Sequence, residues 1–305
     1  MLDRMDLLLR FKAIAEAGSM RRAAEALHIT QPALSRSVRQ LEHVYKQPLF
    51  ERHARGLVPT EFGLKLLSTI SRLSRDWELA EIELREGSVD VGSVLRVNAG
   101  PIWASLVLPV VMARLHQLFP NLVIELTTEL SSQTGSLVRT ALIEGRLDVS
   151  LSGLHGNTDL RKDFIAQPFT PVRDRIIANL NHPIHRHRPD DYGVVHDFPW
   201  ITYSADPVYE AGTQHSIIER TGSPPRIVAR FSSLLAILRL LQEGNYLCML
   251  PDLVVSGMFG AALKVAPTDL GHRSGVSGAV YRKSLADYAP LKQMLSLCEA
   301  YFESR

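Results

Sequence analysis

The chain has 305 residues, 46% hydrophobic and 22% charged, with a formal net charge of +2, which fits a soluble globular protein of two to three compact units at about 150 residues each. No apolar run reaches the roughly 18 residues of a membrane span; the longest, Ile102 to Ala113, is broken by Ser105 and Pro109. Asp3 and Asp6 stand where a secretory signal would carry positive charge, so the expected location is the cytoplasm, with no membrane partner. Cys248 and Cys298, 50 positions apart in apolar segments, read as buried thiols rather than a disulfide or metal pair. Residues 1–65 hold 11 Lys/Arg against 7 Asp/Glu, residues 66–90 hold 3 against 6, and the remainder holds 20 against 19. The excess positive charge lies at the front.

The first helix is expected where Leu7, Phe11, Ile14 and Ala15 recur on one helical face. Gly18 ends it, Ser19 can cap a short second helix, and Thr30 can cap a third, with Pro32 in the first turn, where a missing N–H costs nothing. Leu49 to Thr60, around His53-Ala54-Arg55-Gly56, reads as a hairpin wing. A long helix follows from Thr60 to about Glu86, in which Leu66, Ile70, Leu73, Trp77, Ala80 and Leu84 recur as a heptad seam. Its other faces, with Arg72, Arg75, Glu78 and Glu81, read as solvated, so the seam calls for a partner chain. Gly87-Ser88 and Gly92-Ser93 mark a linker.

Beyond it, strands alternate with helices, the pattern of an α/β unit with a mostly parallel sheet. Strands are expected at Val94–Ala99, Leu122–Leu130, Leu147–Leu151, Arg175–Leu180, Trp200–Tyr203, Ile227–Phe231, Tyr246–Leu250, Leu263–Val265 and Gly278–Lys283. Helices are expected at Trp103–Phe119, Thr134–Glu144, Tyr209–Arg220, Ser233–Glu243 and Tyr288–Phe302.

With Leu34 and Val38 inward, the third helix turns Gln31, Ser35, Arg36 and Arg39 outward near its start, where a recognition helix meets base edges in the major groove. Gln pairs with adenine and Arg with guanine in two-bond fashion, and Arg52 and Arg55 of the wing suit phosphate or minor-groove contact. The run Ala23-Ala24-Glu25-Ala26-Leu27-His28-Ile29-Thr30-Gln31-Pro32-Ala33-Leu34-Ser35-Arg36, followed by Leu41-Glu42, Pro48-Leu49-Phe50-Glu51-Arg52 and Thr60-Glu61-Phe62-Gly63, closely resembles the LysR-type transcriptional regulators. The motifs occupy residues 5–65; the rest is similar in length and element order only.

The resemblance implies an α/β fold with an N-terminal all-α winged helix-turn-helix and a two-lobed effector domain similar to periplasmic solute-binding proteins. It implies a DNA-binding domain over residues 1–62, a dimerising helix and hinge over 63–92, and an effector domain over 93–305. Lobe I would take 93–168 and 269–305, and lobe II 169–268. The partners implied are double-stranded promoter DNA, a small-molecule co-inducer, further copies of the chain as a homodimer and homotetramer, and RNA polymerase. Two features depart from the family. Ser19-Met20-Arg21-Arg22 replaces the usual Ser-Phe-Thr and adds Arg21 and Arg22 to the expected phosphate contacts, beside Thr30 and Pro32 at the turn. Tyr45-Lys46 replaces the usual Leu-Gly, at a strain on the order of 1 kcal/mol if Lys46 is left-handed.

Parallel strands deliver ligands to the loops at their carboxyl ends. The candidate effector residues are therefore Ile102 and Trp103, Ser131 and Ser132, Ser204, and Ser232. Relatives often carry a hydroxyl where this chain has Ile102, so one polar and one apolar wall are expected, with an organic acid as effector and a neutral sugar as runner-up. His182, His185 and His187 lie among two arginines and read as a solvated loop rather than a metal site. No catalytic constellation, cofactor motif or phosphate-binding loop occurs. The rival readings are an enzyme of transferase or dehydratase type on the two-lobed fold, and a transport-type binding protein.

Overall fold

A computed structural model of the chain describes residues 2–53, 56–84, 94–128, 135–154, 163–204, 207–255, 261–270 and 274–303. It divides into two compact units, Met1–Ser88 with Thr140–Arg146, and Val89–Arg139 with Leu147–Arg305.

In the first unit, α1 (Leu2–Ala17), α2 (Met20–Ala26) and α3 (Gln31–Tyr45) precede a hairpin of β1 (Phe50–His53) and β2 (Gly56–Pro59), and α4 (Glu61–Leu84) follows. Gly18, at φ +62, ends α1 with its N–H on the Ile14 carbonyl at 2.9 Å. Ser19 is extended as a cap residue should be, yet its side chain makes no capping bond. Thr30 does cap α3, its hydroxyl accepting from the Ala33 N–H at 3.4 Å, and Lys46 is left-handed at φ 52 and ψ 35.

One core joins Ile14, Ala23, Ala24, Leu34 and Val38 to Phe50 and Leu57. A second joins Phe11, Leu41, Leu49 and Ile70 to Phe62, Leu66 and Leu67. The motif Thr60-Glu61-Phe62-Gly63 has a structural reason here. The Thr60 hydroxyl donates to the Pro48 carbonyl at 2.7 Å and accepts from the Gly63 N–H at 2.9 Å. A Cβ on Gly63 would stand 2.2 Å from the Leu49 carbonyl oxygen, so only glycine lets α4 close on the backbone just before β1. Glu42 accepts from the Leu49 N–H at 2.9 Å, tying α3 to the same place.

The second unit holds β3 (Val94–Ala99), α5 (Leu108–Leu118), β4 (Val123–Thr127), the start of α6 (Gly135–Ile143, of which Thr140 onward is counted with the first unit), β5 (Val149–Gly153) and β6 (Phe164–Asn179). Then come β7 (Trp200–Tyr203), α7 (Pro207–Thr221), β8 (Ile227–Phe231), α8 (Leu234–Glu243), β9 (Cys248–Pro251), β10 (Leu263–Val265), β11 (Ser274–Arg282) and α9 (Ala289–Glu303). The expectation of a mostly parallel sheet is corrected. β3 pairs in parallel with β4 and β5, and β7 with β8, but β11 is antiparallel to β5 and β6, and β6 is antiparallel to β9 and β10.

The reason is β6, which is 16 residues long and begins eleven residues before the expected strand start at Arg175. Its first part, Phe164 to Arg173, pairs with β11; its last part, Asp174 to Asn179, pairs with β9 and β10. One strand thus serves two half-sheets. A parallel bridge between Trp200 and Leu247 joins β7 to the β9 side, so one half runs β8, β7, β9, β6, β10, while the other runs β4, β3, β5, β11, β6. The helix expected over Trp103–Phe119 opens with a wide π turn over Trp103–Val107 before α5. Pro109 has no N–H for the Ser105 carbonyl, and a wider turn just before it accommodates that loss.

Candidate functional site

The α3 face carries the first candidate set. Leu34, Ser37, Val38 and Leu41 are buried, while Gln31, Pro32, Arg36 and Arg39 are exposed and Ser35 is half-buried. Ser37 holds the helix from beneath, accepting from Arg10 at 3.1 Å and donating to the Ala33 carbonyl at 3.2 Å. The two arginines of α2 are engaged locally. Arg21 lies 3.7 Å from Glu25, and Arg22 donates to the Ala17 carbonyl, satisfying one of the open carbonyls at the end of α1. Arg52 falls in β1 opposite Leu57, and Arg55 lies outside the described residues.

The α4 seam divides in two. Ile70 is 1% exposed in the unit's own core, with Leu66 packed beside it, so Ile70 is corrected from a seam residue to a core residue. Leu73 is 45%, Trp77 66% and Leu84 74% exposed, and Ala80 is half-buried. Arg75, expected on a solvated face, is buried and pairs with Glu78 at 3.0 Å.

At the carboxyl ends of the strands in the second unit, Gly100 leads into Pro101 and Ile102. Ile102 is half-buried and packs on the cluster of Leu106, Ile201, Tyr203, Leu234, Ile237 and Leu250. Trp103 does not line a cleft wall as expected. It is 3% exposed, its indole N–H donates to the Ser277 hydroxyl at 2.7 Å, and its ring packs on Phe169 and Phe302. Ser131 and Ser132 lie outside the described residues. Ser204 is half-buried and its N–H donates to the Phe231 carbonyl at 2.9 Å. Ser232 is exposed, and its neighbour Ser233 caps α8 by accepting from Ala236 at 3.4 Å.

The histidine run is corrected as well: only His187 resembles a solvated residue, lying 3.1 Å from Asp191. His182 is 1% exposed and its Nδ1 accepts from the Ile184 N–H at 3.0 Å, while His185 Nε2 sits 2.9 Å from the Asn179 carbonyl. Burial holds both imidazoles below the ordinary value. Among the described residues no group of three His, Cys, Asp or Glu could hold a metal ion, and no helix is long and apolar enough to cross a membrane. Burial pushes the Cys298 thiol up to about 12 and the Cys248 thiol further still, so neither is a reactive thiolate.

The chain belongs to the LysR family. Residues 5–64 match the bacterial regulatory helix-turn-helix protein, lysR family, and residues 89–303 match the LysR substrate binding domain. It is 30% identical over 185 residues, 59% of its length, to a probable RuBisCO transcriptional regulator of Synechocystis sp., and the matched region spans about half (51%) of that relative. It is 24% identical over 253 residues to the HTH-type transcriptional regulator GltR of Bacillus subtilis, covering 83% of this chain and 81% of that one. A full-length OxyR variant from Pseudomonas aeruginosa shares the fold at a TM-score of 0.69 and 18% identity, over 96% of this chain and 94% of that one. The two curated relatives are described as regulators, not enzymes.

Proposed function

We propose that this protein is a transcriptional regulator that binds double-stranded DNA sequence-specifically through residues 1–62, self-associates through residues 63–92, and answers to a small molecule held between the two lobes of residues 93–305. The observation that carries the reading is the α3 face. A helix capped by Thr30, with its apolar face buried, presents Gln31, Arg36 and Arg39 to solvent beside an antiparallel wing. The exposed Leu73, Trp77 and Leu84 of α4 support a homodimer, and the family supports its doubling to a homotetramer. Such a regulator works in the cytoplasm, where it meets RNA polymerase at the promoter.

An organic acid is the proposed effector class, with a neutral sugar second. α6, α7 and α8 follow β4, β7 and β8 in turn, and first-turn N–H groups favour negative charge.

Sheared genomic fragments incubated with the purified full chain test the reading. A small set of sequences retained over bulk DNA is expected, and equal retention of all fragments, or of none, overturns it. Calorimetric titration with short carboxylic acids against neutral sugars tests the effector class, which fails if only the sugars bind.

A further inference from the structure

Two irregularities face each other in the second unit. The first is the π turn Trp103–Val107, which starts one residue after Ile102. The second lies where β11 pairs with the first part of β6, the strand shared by both half-sheets: Ser277 of β11 pairs with Thr170 of β6 but Gly278 pairs with Pro168. Phe169 is therefore an extra residue, the bulge of β6, beside a proline that has no N–H to give to the ladder. Gly278 admits no side chain, because a Cβ there would lie 2.2 Å from the Gln167 carbonyl oxygen.

The Trp103 side chain joins the two. Its N–H donates to Ser277 at 2.7 Å, and the Ser277 hydroxyl donates onward to the Ser152 carbonyl, at the end of β5, at 3.3 Å. The bulge residue Phe169 packs on the Trp103 ring at 5.6 Å and stacks on Phe302 of α9 at 6.5 Å. On the other side of the same turn, Ile102 and Leu106 pack on the lobe II cluster around Tyr203 and Leu234. Tyr301 holds the turn's backbone, donating to the Leu106 carbonyl at 3.3 Å.

We infer that Trp103 is a positioning residue that locks the first turn of the α5 segment, and with it the spacing of the two lobes, to the bulge at Phe169 and Ser277. The turn is clamped between the lobe II cluster and the β6–β11 pairing, so a change at Gly100 to Ile102 reaches those strands through the buried Trp103–Ser277 hydrogen bond and the tilted Trp103–Phe169 ring contact. The inference rests on the two-lobed reading of the domain and needs no effector.

The test reads lobe spacing directly. Spin labels on Gln117→Cys in α5 and Glu219→Cys in α7, both exposed positions, give a distance in the full chain, diluted into excess unlabelled chain. Cys248 and Cys298 are buried and stay unlabelled. A single distance is expected in the parent. Trp103→Phe keeps an aromatic ring but loses the N–H and part of the indole's packing, and Ser277→Ala loses the acceptor together with its bond to the Ser152 carbonyl. Each should replace the single distance with a broad distribution, and the double variant should broaden it by clearly less than the two effects summed, since both break the same bond. Ser277→Thr, which keeps the hydroxyl, should restore the single distance, and with Ser277→Ala it decides the matter alone should Trp103→Phe not fold. An unchanged distance in Trp103→Phe and Ser277→Ala at parent melting temperature, additive broadening in the double variant, or no rescue by Ser277→Thr overturns the inference, whether or not an effector is ever found.

Discussion

The helical segments that begin at Gln31 and at Pro101 both carry a proline near their start, and the sequence alone marks both as points of contact, the first with DNA and the second with an effector. They work in opposite ways. In α3 the first turns send Gln31, Pro32 and Arg36 into solvent on a helix held from beneath by Leu34, Ser37 and Val38. In the segment leading to α5, the first turns bury Trp103, Leu106 and Val107 instead. One helix acts by what it exposes, so its side chains can be changed singly. The other acts by what it packs, so a change there moves its neighbours.

The largest test of that contrast lies within α4, where both kinds of residue share one helix. Ile70→Glu should unfold the first unit, since an unpaired carboxylate in that core costs about 3 kcal/mol or more. Leu73→Glu with Trp77→Glu should leave the unit folded and halve the mass by light scattering, because these side chains are exposed in the single chain. A double variant that keeps the parent mass would show that the exposed part of the seam is not the interface.

On α3, Arg36→Ala should weaken the selected DNA site by about 1–3 kcal/mol and random DNA far less, while the melting temperature holds. Arg22→Ala should instead loosen the end of α1, where its guanidinium holds the Ala17 carbonyl. Filter binding on selected and random duplexes separates the two; equal losses on both duplexes for Arg36→Ala would remove it from base readout.

The same contrast governs what the sequence discloses. Gly18, the Thr30 cap, the wing and the bounds of β3, β7, β8 and β10 are legible because each depends on residues close in the chain. The first half of β6 is not, because Pro168 and Pro171 read as breaks and only pairing with β11 makes them strand. The burial of Trp103 is illegible for a similar reason: Ser277, which takes its N–H, stands 174 residues away. Heptad spacing in α4 cannot tell a seam from a core, since Ile70 and Leu73 fit one pattern and only Phe11, Leu41 and Leu49 claim Ile70. The family motifs point to the α3 face, but the reason for Glu42 and Gly63 lies in the backbone of Leu49.

The buried histidines that follow β6 should give the second unit a pH response. Burial is the main cause that holds His182 and His185 below the ordinary imidazole value of 6.5; backbone carbonyls at Asn245 and Asn179 oppose it, while the charge of His185 on His182 and that of Lys264 on His185 add to it. The unfolded chain then binds more protons than the folded one. The contribution to stability is full above about pH 6.5 and is lost as pH falls through the lower folded values. Urea titrations from about pH 7.5 down to about 5 should show a falling midpoint that His182→Asn with His185→Asn flattens, and an unchanged slope with pH in that variant would assign the effect elsewhere.

The smallest effect concerns Lys46, left-handed at φ 52 in the turn after α3. A side chain there costs on the order of 1 kcal/mol against glycine. The same lysine sits at the carboxyl end of α3, where a cation gains about 0.3–1 kcal/mol from the helix dipole at low salt. The two nearly cancel in dilute buffer, and salt screens only the second. Lys46→Gly should therefore change the urea midpoint little at low ionic strength and raise stability by an amount approaching about 1 kcal/mol at high salt. A gain that does not grow with salt would mean that the dipole contributes nothing at this position. A loss at every salt concentration would mean that the lysine stem packs on the turn, and that even this exposed end of α3 is held by what it covers.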